Sequence, residues 1–395
     1  LTITIAALGY FVDVYDLLLF SVVRITSLRD LGVEENQLSN TGMMILNLQM
    51  VGMLLGGIVW GILGDKKGRV SVLFSTILLY SLANIANAYV TSVEMYAFLR
   101  FIAGIGLAGE LGIGITLVSE IMSKENRGYG TAFVTAFGTS GAVVAAIVAD
   151  LVSWKTAYLL GGSMGLLLLI MRVSLLESPM FNQIKYKNIK AGNIRLLFIS
   201  KKHFLTYFNC ILIGLPIWFI VGILISFSPE LAKSLEITGD INAGKAVLFS
   251  QIGTMIGGFL CGILSQKLKS RKKAVASFMI MTLIVITIYL FSYGQTPMYM
   301  YTLCLILGFA GGYWALFVAI AAEQFGTNLR ATVSTTAPNF VRGSVVITTF
   351  AFSQLNAYFS LNISILIVGW VCIGIAVLAL NSMKETYGEN LDYIH

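Results

Sequence analysis

Two related stretches decide the fold: VGMLLGGIVWGILGDKKGR over residues 51–69 and IGTMIGGFLCGILSQKLKSR over residues 252–271. Each is an apolar run with closely spaced glycines, followed by a basic loop. At a constant offset of 201 residues, Gly52, Gly56, Gly57, Gly61, Ile62, Leu63 and Lys66 recur as Gly253, Gly257, Gly258, Gly262, Ile263, Leu264 and Lys267. Small residues at this spacing let helices approach closely in lipid. The repeat indicates a membrane chain built from two parallel, related halves.

Composition agrees with this interpretation. Of the 395 residues, 57% are hydrophobic and 11% are charged, whereas a soluble domain is about 45–50% apolar and about 25% charged. A soluble enzyme, a nucleic-acid binder and a disordered chain are therefore disfavoured. About twelve windows are long and apolar enough to span a bilayer. They cover residues 3–24, 41–63, 70–90, 94–119, 129–150, 154–173, 203–228, 244–264, 273–293, 298–322, 331–355 and 360–381.

The sequence therefore predicts an all-α membrane protein with twelve transmembrane helices in two pseudo-symmetric six-helix bundles. The longest connection, residues 174–202, is basic and divides the chain almost in half. We predict an N-terminal bundle over residues 1–173, a cytoplasmic linker over residues 174–202 and a C-terminal bundle over residues 203–395. With the loops numbered alternately, 19 of the 26 basic residues, Arg172 among them, fall on one side and 5, Arg24 among them, on the other, while Arg100 and Arg342 fall inside helices. Because cytoplasmic loops are rich in Lys and Arg, we expect both termini in the cytoplasm.

Acid–base pairs recur where helices meet the basic loops. Asp65 and Arg69 lie four residues apart after the second helix. Glu120 lies seven residues before Arg127, and Glu323 recurs seven residues before Arg330. Such pairs can lock one conformation. We interpret these six residues as a latch of the inside gate; the alternative is that they are topology charges only.

Charged residues also fall inside the predicted spans. Asp13 and Asp16 lie three residues apart on one face of the first helix, and Glu110 lies midway through the fourth. A charge at the bilayer centre costs at least about 2.5–3.5 kcal/mol, so it is retained for a purpose or is paired. We expect the three acids to carry the coupling proton; the alternative is a fixed ion pair with Arg100 or Arg342. Arg342 is either a planar fork for a substrate anion or a partner of one of these acids.

Aromatic and amide side chains can complete a substrate site. The candidates, in spans predicted to face the pore, are Tyr15, Trp218, Trp314, Asn47, Gln49, Asn209, Gln251, Asn339 and Gln354. Packing or an interfacial belt is the alternative for each aromatic residue. Asn339 is the strongest candidate, because it lies three residues before Arg342 on the same helical face. It also follows Pro338, which frees a backbone carbonyl and is expected to kink this helix.

Several motifs make the chain resemble a major facilitator superfamily transporter over essentially its whole length. They are Gly61, Asp65, Gly68 and Arg69 after the second helix; RFIAGIGLAGE from Arg100 to Glu110; Glu120 with Arg127 and Gly128; Glu177, Ser178 and Pro179; Glu323, Phe325, Thr327, Arg330 and Thr332; and Glu385, Thr386, Gly388 and Leu391. The second copy of the loop motif departs from the family, with Gln266 in place of the acid. The resemblance is to the branch of metabolite, sugar and phosphate:proton symporters. Asp13 and Asp16 are similar to phosphate and aromatic-acid symporters, whereas Gly109 and Glu110 are similar to metabolite symporters.

The resemblance and the charges together predict proton-coupled uptake of a small anionic metabolite, a carboxylate or a phosphate, by alternating access. The alternatives are a proton-coupled exporter, a carrier of neutral or zwitterionic metabolites, and a non-transporting membrane sensor. No nucleophile–base pair or metal-binding cluster stands out, so we predict no enzyme activity, no metal and no cofactor other than the coupling proton. The expected setting is the lipid bilayer of a bacterial inner membrane, as a monomer. The four cysteines lie in apolar runs and are expected to be buried free thiols.

Overall fold

The computed structural model describes residues 2–122, 127–172, 196–326 and 329–388 and is helical throughout its membrane-length segments. Twelve spans follow one another along these residues, and we number them α1 to α12. The first six are α1 (Thr2–Asp30), α2 (Leu38–Lys67), α3 (Arg69–Asn87), α4 (Val93–Leu107 with Glu110–Ile121), α5 (Arg127–Leu151) and α6 (Trp154–Met171). The others are α7 (Lys201–Leu212, Leu215–Phe219 and the π-helix Ile220–Ile225), α8 (Ala243–Lys267), α9 (Arg271–Leu290), α10 (Pro297–Gly311 with Trp314–Glu323), α11 (Arg330–Leu355) and α12 (Leu361–Ser382).

Eleven of these spans are long and apolar enough to cross a membrane, which confirms the membrane prediction. The exception is α11, which carries five threonines and three serines in 26 residues. Short helices precede α7 (Leu196–Ile199) and follow it (Ser228–Ser234). Most of the predicted linker, residues 174–195, lies outside the described residues. The four cysteines are buried free thiols, as expected.

The helix starts follow from local sequence. Ser92, Ser153, Asn242, Ser270 and Thr296 each accept a backbone N–H from the first turn of the helix that follows. These caps satisfy donors that have no partner inside the helix. Between α2 and α3 there is only Gly68, at φ +104°, a conformation that favours glycine. The loop motif therefore turns the chain within a single residue.

The repeated glycines perform the same packing role in both halves. A Cβ at Gly52 would collide with the carbonyl oxygen of Phe101, so α2 packs backbone to backbone on α4. In the second half, a Cβ at Gly253 would collide with the carbonyl oxygen of Leu305, so α8 packs in the same way on α10. The sequence repeat is thus a repeat of helix contacts.

The spans α4 and α10 are both broken near their middle, at residues 108–109 and 312–313. A broken helix frees backbone carbonyls, which must find donors where water is absent. Trp60 Nε1 donates to the carbonyl of Ile105 at 2.7 Å, and Asn339 Nδ2 donates to that of Ala108 at 2.6 Å. In α7, the hydroxyl of Tyr313 donates to the carbonyl of Ile213 at 3.1 Å. Side chains from neighbouring helices therefore stabilise the breaks around the centre of the molecule.

The two halves meet along α2 with α11, α5 with α8, α4 with α11 and α1 with α8. We call the end with the α2–α3, α4–α5, α8–α9 and α10–α11 connections the basic end, and the other the opposite end. Helix α1 extends to Asp30, six residues beyond its predicted window. Arg24, predicted as a loop charge, therefore lies inside a helix and is 1% exposed.

Candidate substrate and proton site

A cavity of about 50 Å³ lies between the halves. Its walls come from α1, α5, α7, α8, α10 and α11. The lining includes Tyr10, Val14, Leu17, Leu18, Thr139, Ile217, Trp218, Ile220, Val221, Gln251, Thr254, Leu307, Gly308, Gly311, Trp314 and Arg342. By this measure of volume, a cavity needs about 10–15 Å³ to hold one water molecule, so this one holds only a few. The cavity is therefore too small for a metabolite in this closed conformation, and substrate binding requires the walls to separate.

Arg342 is the charged residue of this lining and is 1% exposed. Its guanidinium carbon lies 5.6 Å from the ring centroids of both Trp218 and Trp314. The two indoles contact each other at 6.4 Å, edge to face. Aromatic faces attract a guanidinium and still leave its N–H groups available in the ring plane. Arg342 thus lies within cation–π distance of two indole rings that meet edge to face.

Asn339, predicted as a substrate residue, contacts Arg342 one turn later on α11. Its Oδ1 accepts Nη1–H of Arg342 at 3.1 Å, while its Nδ2 donates to the carbonyls of Ala108 and Thr335. The amide is therefore fixed by α4 and α11 and does not line the cavity itself. Helix α11 continues as one helix through Pro338.

Asp13 lies opposite Arg342, across the boundary between the halves. Its Oδ2 is 3.9 Å from Arg342 Nη2, beyond hydrogen-bonding distance. Both of its carboxylate oxygens are buried and without a hydrogen-bond partner among the described residues, and so is Nε of Arg342. This loose pair joins α1 to α11 and keeps unused hydrogen-bonding capacity on both sides.

Asp16 lies in a separate polar cluster inside the first half. Arg100 donates to Gln49 Oε1 at 3.3 Å, to Asn84 Oδ1 at 3.0 Å and to the backbone carbonyl of Asp16 at 3.2 Å. The carboxylate oxygens of Asp16 have no hydrogen-bond partner in the described part of the chain. Arg100 thus binds the backbone carbonyl of Asp16 and not its carboxylate.

Two predicted substrate residues point into this packed cluster and not into the cavity. Gln49 Nε2 donates to the carbonyl of Leu17 at 3.2 Å, and the hydroxyl of Tyr15 donates to that of Ala157 at 2.9 Å. Neither side chain lines the cavity. Both residues lie on helices that border the site, but face away from it, which position along the chain does not reveal.

Glu110 has a partner that sequence reasoning missed. The alternatives were Arg100 and Arg342, but Arg172 forms the ion pair, with Nη2 against Oε1 and Nη1 at 3.2 Å from Oε2. Arg172 also donates to the carbonyl of Leu73 at 3.1 Å. It had been counted among the loop charges, yet it is fully buried. The signal is weak: a single basic residue at the end of an apolar helix, which turns back toward an intramembrane acid.

Tyr10 was not among the predicted site residues. It lines the cavity one turn before Asp13, and its hydroxyl accepts Nε1–H of Trp314 at 3.2 Å. The spacing of three residues from Asp13 on one helical face is the signal that identifies it. Gln251, a predicted substrate residue, lines the cavity.

The predicted latch lies at the basic end. Oδ2 of Asp65 accepts the backbone N–H of Thr332 at 2.9 Å and its hydroxyl at 2.6 Å, so α2 is tied to the first turn of α11. Arg69 bridges Asp65 at 3.3 Å and Glu120 at 3.0 Å. All of these contacts are buried. Asp65 therefore joins the halves, and Arg69 joins it to α4.

The second half repeats part of this arrangement. Arg271 binds Glu323 at 3.0 Å, as Arg69 binds Glu120. The hydroxyl of Thr386 donates to Glu323 Oε2 at 2.6 Å, which ties the segment after α12 to α10. Arg330 begins α11 and is buried. The side chain of Arg127, and Thr327, Leu391 and residues 177–179 of the motifs, lie outside the described residues.

Comparisons with known proteins agree with this architecture. Residues 6–347 match the family described as the Major Facilitator Superfamily. The chain is 28% identical over 405 residues to a Bacillus subtilis protein assigned as the niacin/nicotinamide transporter NiaP, covering 98% of this chain and 96% of that protein. It is 24% identical to the sialic acid transporter NanX of Escherichia coli, covering 92% and 89%.

The fold is also that of a solved transporter. The structure of the proton:xylose symporter XylE bound to 6-bromo-6-deoxy-D-glucose aligns with a TM-score of 0.73, at 15% identity, over 99% of this chain and 97% of that one. The family and these relatives are transporters, so the prediction that the chain is not an enzyme is confirmed. By the family match, the relatives and the twelve-helix architecture, the chain belongs to the major facilitator superfamily, as an integral membrane transporter of small molecules.

Proposed function

We propose that this transporter imports a small anionic metabolite together with protons, and that a planar carboxylate fits its site best. The observation that carries the proposal is the guanidinium of Arg342, buried between Trp218 and Trp314 and fixed at one nitrogen by Asn339. Carboxylates and phosphates both match a guanidinium fork. Two indole walls favour the flat ligand, because an aromatic ring can stack on them.

The relatives support an anion of this kind. Niacin, named for the Bacillus subtilis protein, is an aromatic carboxylate, and sialic acid is a carboxylate as well. On the wall formed by α8, the amide of Gln251 offers a donor and an acceptor to a second polar group of the substrate. An aromatic carboxylate with a ring nitrogen or hydroxyl therefore matches the chemistry of the lining.

Coupling follows from competition for one guanidinium. Asp13 faces Arg342 at 3.9 Å without a hydrogen bond, so a substrate carboxylate and Asp13 are rival partners of the same cation. Protonation of Asp13 removes its charge and leaves Arg342 to the substrate. Release of that proton on the other side restores the rival and favours release of the substrate. Because the pair spans the two halves, its state also affects how they rock.

Alternating access requires one end to open while the other is closed. The basic end is closed by Asp65 and Thr332, and the opposite end has its own interhalf contacts, among them Asn47 with Thr349 at 3.1 Å. By the distribution of Lys and Arg, the basic end and both termini face the cytoplasm. Import then proceeds from the opposite end to the basic end across a bacterial inner membrane.

A matched ligand pair tests the proposal. Niacin and nicotinamide differ in one group, a carboxylate against a neutral amide, so the purified protein should be stabilised by niacin and much less by nicotinamide in a thermal-shift measurement. Phosphate and sialic acid complete the panel, at two pH values. Arg342→Gln should abolish the niacin shift, and Arg342→Lys should restore little of it, because an ammonium cannot reproduce the planar fork.

The contrary outcome is equally clear. Equal stabilisation by niacin and nicotinamide, unchanged in Arg342→Gln, would point to a carrier of neutral or zwitterionic metabolites. Uptake into proteoliposomes separates import from export: an inward proton gradient should drive accumulation of the bound anion. Accumulation driven only by a gradient of the opposite sense would identify an exporter.

A further inference from the structure

An ion pair between the two halves closes the opposite end, around the buried Arg24 of α1. Nη2 of Arg24 lies 2.7 Å and 3.0 Å from the two carboxylate oxygens of Glu230, in the helix Ser228–Ser234. The same nitrogen donates to the carbonyl of Ser226 at 3.2 Å. The guanidinium carbon lies 4.5 Å from the ring centroid of Phe227. One arginine of the first half is thus bound by a short segment of the second half.

This pair lies directly above the cavity. On α1, Leu17 and Leu18 line the cavity, Ser21 follows one turn later and Arg24 another turn later. Seven residues of helix from Leu17 to Arg24 rise about 10 Å. Between the two levels, Ser226 Oγ donates to Ser21 Oγ at 3.0 Å. The Arg24–Glu230 pair is therefore the outer cover of the substrate site.

The guanidinium of Arg24 is only partly used. Both oxygens of Glu230 share a single nitrogen, while Nε and Nη1 are buried without a hydrogen-bond partner among the described residues. A carboxylate bound in the bidentate manner would take up two of these nitrogens. Glu230 is also the more accessible partner, since its side chain is 25% exposed and that of Arg24 is 1% exposed.

The backbone below Glu230 is irregular. The π-helix Ile220–Ile225 begins with two residues that line the cavity, Ile220 and Val221, and ends directly before Ser226. The N–H of Ser226 donates to the carbonyl of Val221, five residues earlier. Such π-turns are frequent at functional sites, because they shift the register of one helix face. A movement of Glu230 can therefore be transmitted to the cavity wall.

We propose that Arg24 is an outer binding site for the anionic substrate, and that Glu230 occupies this site in its place when the opposite end is closed. On opening, the substrate carboxylate replaces the Glu230 carboxylate on Arg24 and then descends about three helical turns to Arg342. The proposal rests on the proposed function, since it assumes the same anionic ligand. It goes further by assigning a second guanidinium to the path and a carboxylate of the chain as the competitor of the substrate.

The test compares Arg24→Gln with Glu230→Gln. If the ion pair only closes the opposite end, both variants should change niacin influx equally. In proteoliposomes with the opposite end outward, niacin influx is measured at low substrate concentration. Arg24→Gln should lower kcat/KM for influx by about tenfold, whereas Glu230→Gln should raise it by about twofold or more, because it removes the competitor. Arg24→Lys should lie between Arg24→Gln and the wild type. Niacin efflux from the basic end should change less than influx in each variant.

The chain offers a matched control at the same end. Arg29 and Glu35 form an ion pair at 2.5 Å, but their side chains are 54% and 63% exposed. Arg29→Gln and Glu35→Gln make the same charge changes outside the path, and influx should stay within about twofold of the wild type. If the guanidinium of Arg24 attracts the anion from solution, the difference in niacin influx between the wild type and Arg24→Gln should decrease at high ionic strength.

Two results overturn the inference in distinguishable ways. If Arg24→Gln and Glu230→Gln change influx in the same direction and to the same extent, the pair is a closing contact only and binds no substrate. In that case the wild type still accumulates niacin, and the proposed function stands. If the wild type takes up neither niacin nor any other carboxylate of the panel, the proposed function fails, and the outer anion site fails with it.

Discussion

At the scale of single residues, function depends on which buried charges are firmly paired and which are not. Arg172 and Glu110 are in direct contact, whereas Asp13 and Arg342 stand 3.9 Å apart with hydrogen-bonding atoms unused. A tight buried pair is costly to break, and a loose pair can exchange partners. The geometry therefore favours Asp13 over Glu110 for the proposed role of proton carrier.

Asp13→Asn tests this assignment. The amide keeps the shape of the side chain but cannot release a proton, so niacin accumulation driven by a pH gradient should be lost. Exchange of niacin across equal pH should remain, because binding and reorientation need no net proton movement. Uptake and counterflow in proteoliposomes measure the two activities side by side. Asp150→Asn, at an exposed position of α5, is the matched control.

If Asp13→Asn accumulates niacin normally, Asp13 does not carry the coupling proton, and Asp16 or Glu110 becomes the candidate. Asp16→Asn is then the next variant, since the Asp16 carboxylate is equally buried and lacks a hydrogen-bond partner in the described chain. If all three amide variants accumulate niacin normally, the carboxylates are structural and coupling to protons is wrong.

Glu110 and Arg172 should behave as a structural pair. Removing one partner leaves the other charge buried and unpaired, so Glu110→Gln or Arg172→Gln alone should destabilise the protein by about 3–5 kcal/mol. The double variant should recover much of this loss. Melting temperatures of the two single variants and the double variant form a double-mutant cycle. Additive losses without recovery would show that the two side chains act independently.

At the scale of helices, α11 combines the main polar contacts of the molecule. Its first turn receives Asp65, its middle carries Asn339 and Arg342, and Thr349 meets Asn47 near the opposite end. Its polar composition explains why it is the one span of the twelve that is not apolar enough by itself. It remains stable because all of its described threonine side chains are buried in the bundle.

The latch at the start of α11 can be weakened selectively. Asp65→Asn removes the charge that faces the N-terminus of α11 and the hydroxyl of Thr332, where a helix favours an anion. The population open at the basic end should increase and turnover should slow, while niacin affinity changes little. Distances between spin labels across the basic end measure the population. Glu94→Gln, exposed at the opposite end, is the control.

Lost niacin binding with unchanged distances would contradict the latch role of Asp65. A second variant, Thr332→Ala, removes only the hydroxyl and should shift the population in the same direction by a smaller amount. Asp65→Asn should shift this population more than Thr332→Ala does. The threonine variant keeps the Asp65 charge and its contact with the backbone N–H of residue 332.

The segment after α12 caps α9 through Glu385. Its carboxylate accepts the N–H of Arg271 at 2.9 Å, that of Lys272 at 3.3 Å and the hydroxyl of Ser270. Partial burial acts to raise the pKa of Glu385, but these hydrogen bonds outweigh it and hold the pKa below the usual 4.5. A depressed pKa stabilises the fold above the unfolded value, and the contribution is lost as pH falls through the folded value.

Glu385→Gln should therefore destabilise the protein near neutral pH and much less in acid. The expected loss is about 0.5 kcal/mol, because the group is partly exposed and screened by solvent. Melting temperatures of the wild type and the variant should differ at about pH 7 and converge at about pH 3. A difference that persists in acid would mean that shape, not charge, stabilises the cap.

At the scale of the whole molecule, the distribution of Lys and Arg predicts that the basic end faces the cytoplasm. The repeat provides two equivalent labelling positions, Lys66 and Lys267, both exposed at the basic end. Lys66→Cys and Lys267→Cys should be protected from an impermeant thiol reagent outside intact cells, whereas Glu34→Cys and Asp240→Cys should react. The four native cysteines are buried and contribute little background. Reaction at both basic-end positions would show that the basic end faces outward, which contradicts the predicted topology.

Much of the architecture was predictable because membrane helices obey a local rule. About 20 apolar residues must span the bilayer, so the number of helices can be read without knowing their contacts. Glycine repeats at an offset of 201 residues identified the two halves, and their glycines pack the same helix pairs. The link between Asn339 and Arg342 was also local, since residues three apart on a helix meet.

Only the tertiary structure decided which charges meet across helices. Arg172 reaches Glu110 over a separation of 62 residues, and Arg24 reaches Glu230 over 206. Tyr15 and Gln49 had the right residue type, but their helices turn them into the first half and away from the cavity. Helix periodicity determines which residues share a face, not which helix that face will contact. An unpaired charge is costly in a low-dielectric interior. The packing of the helices therefore determines which partner lies close enough to form an ion pair.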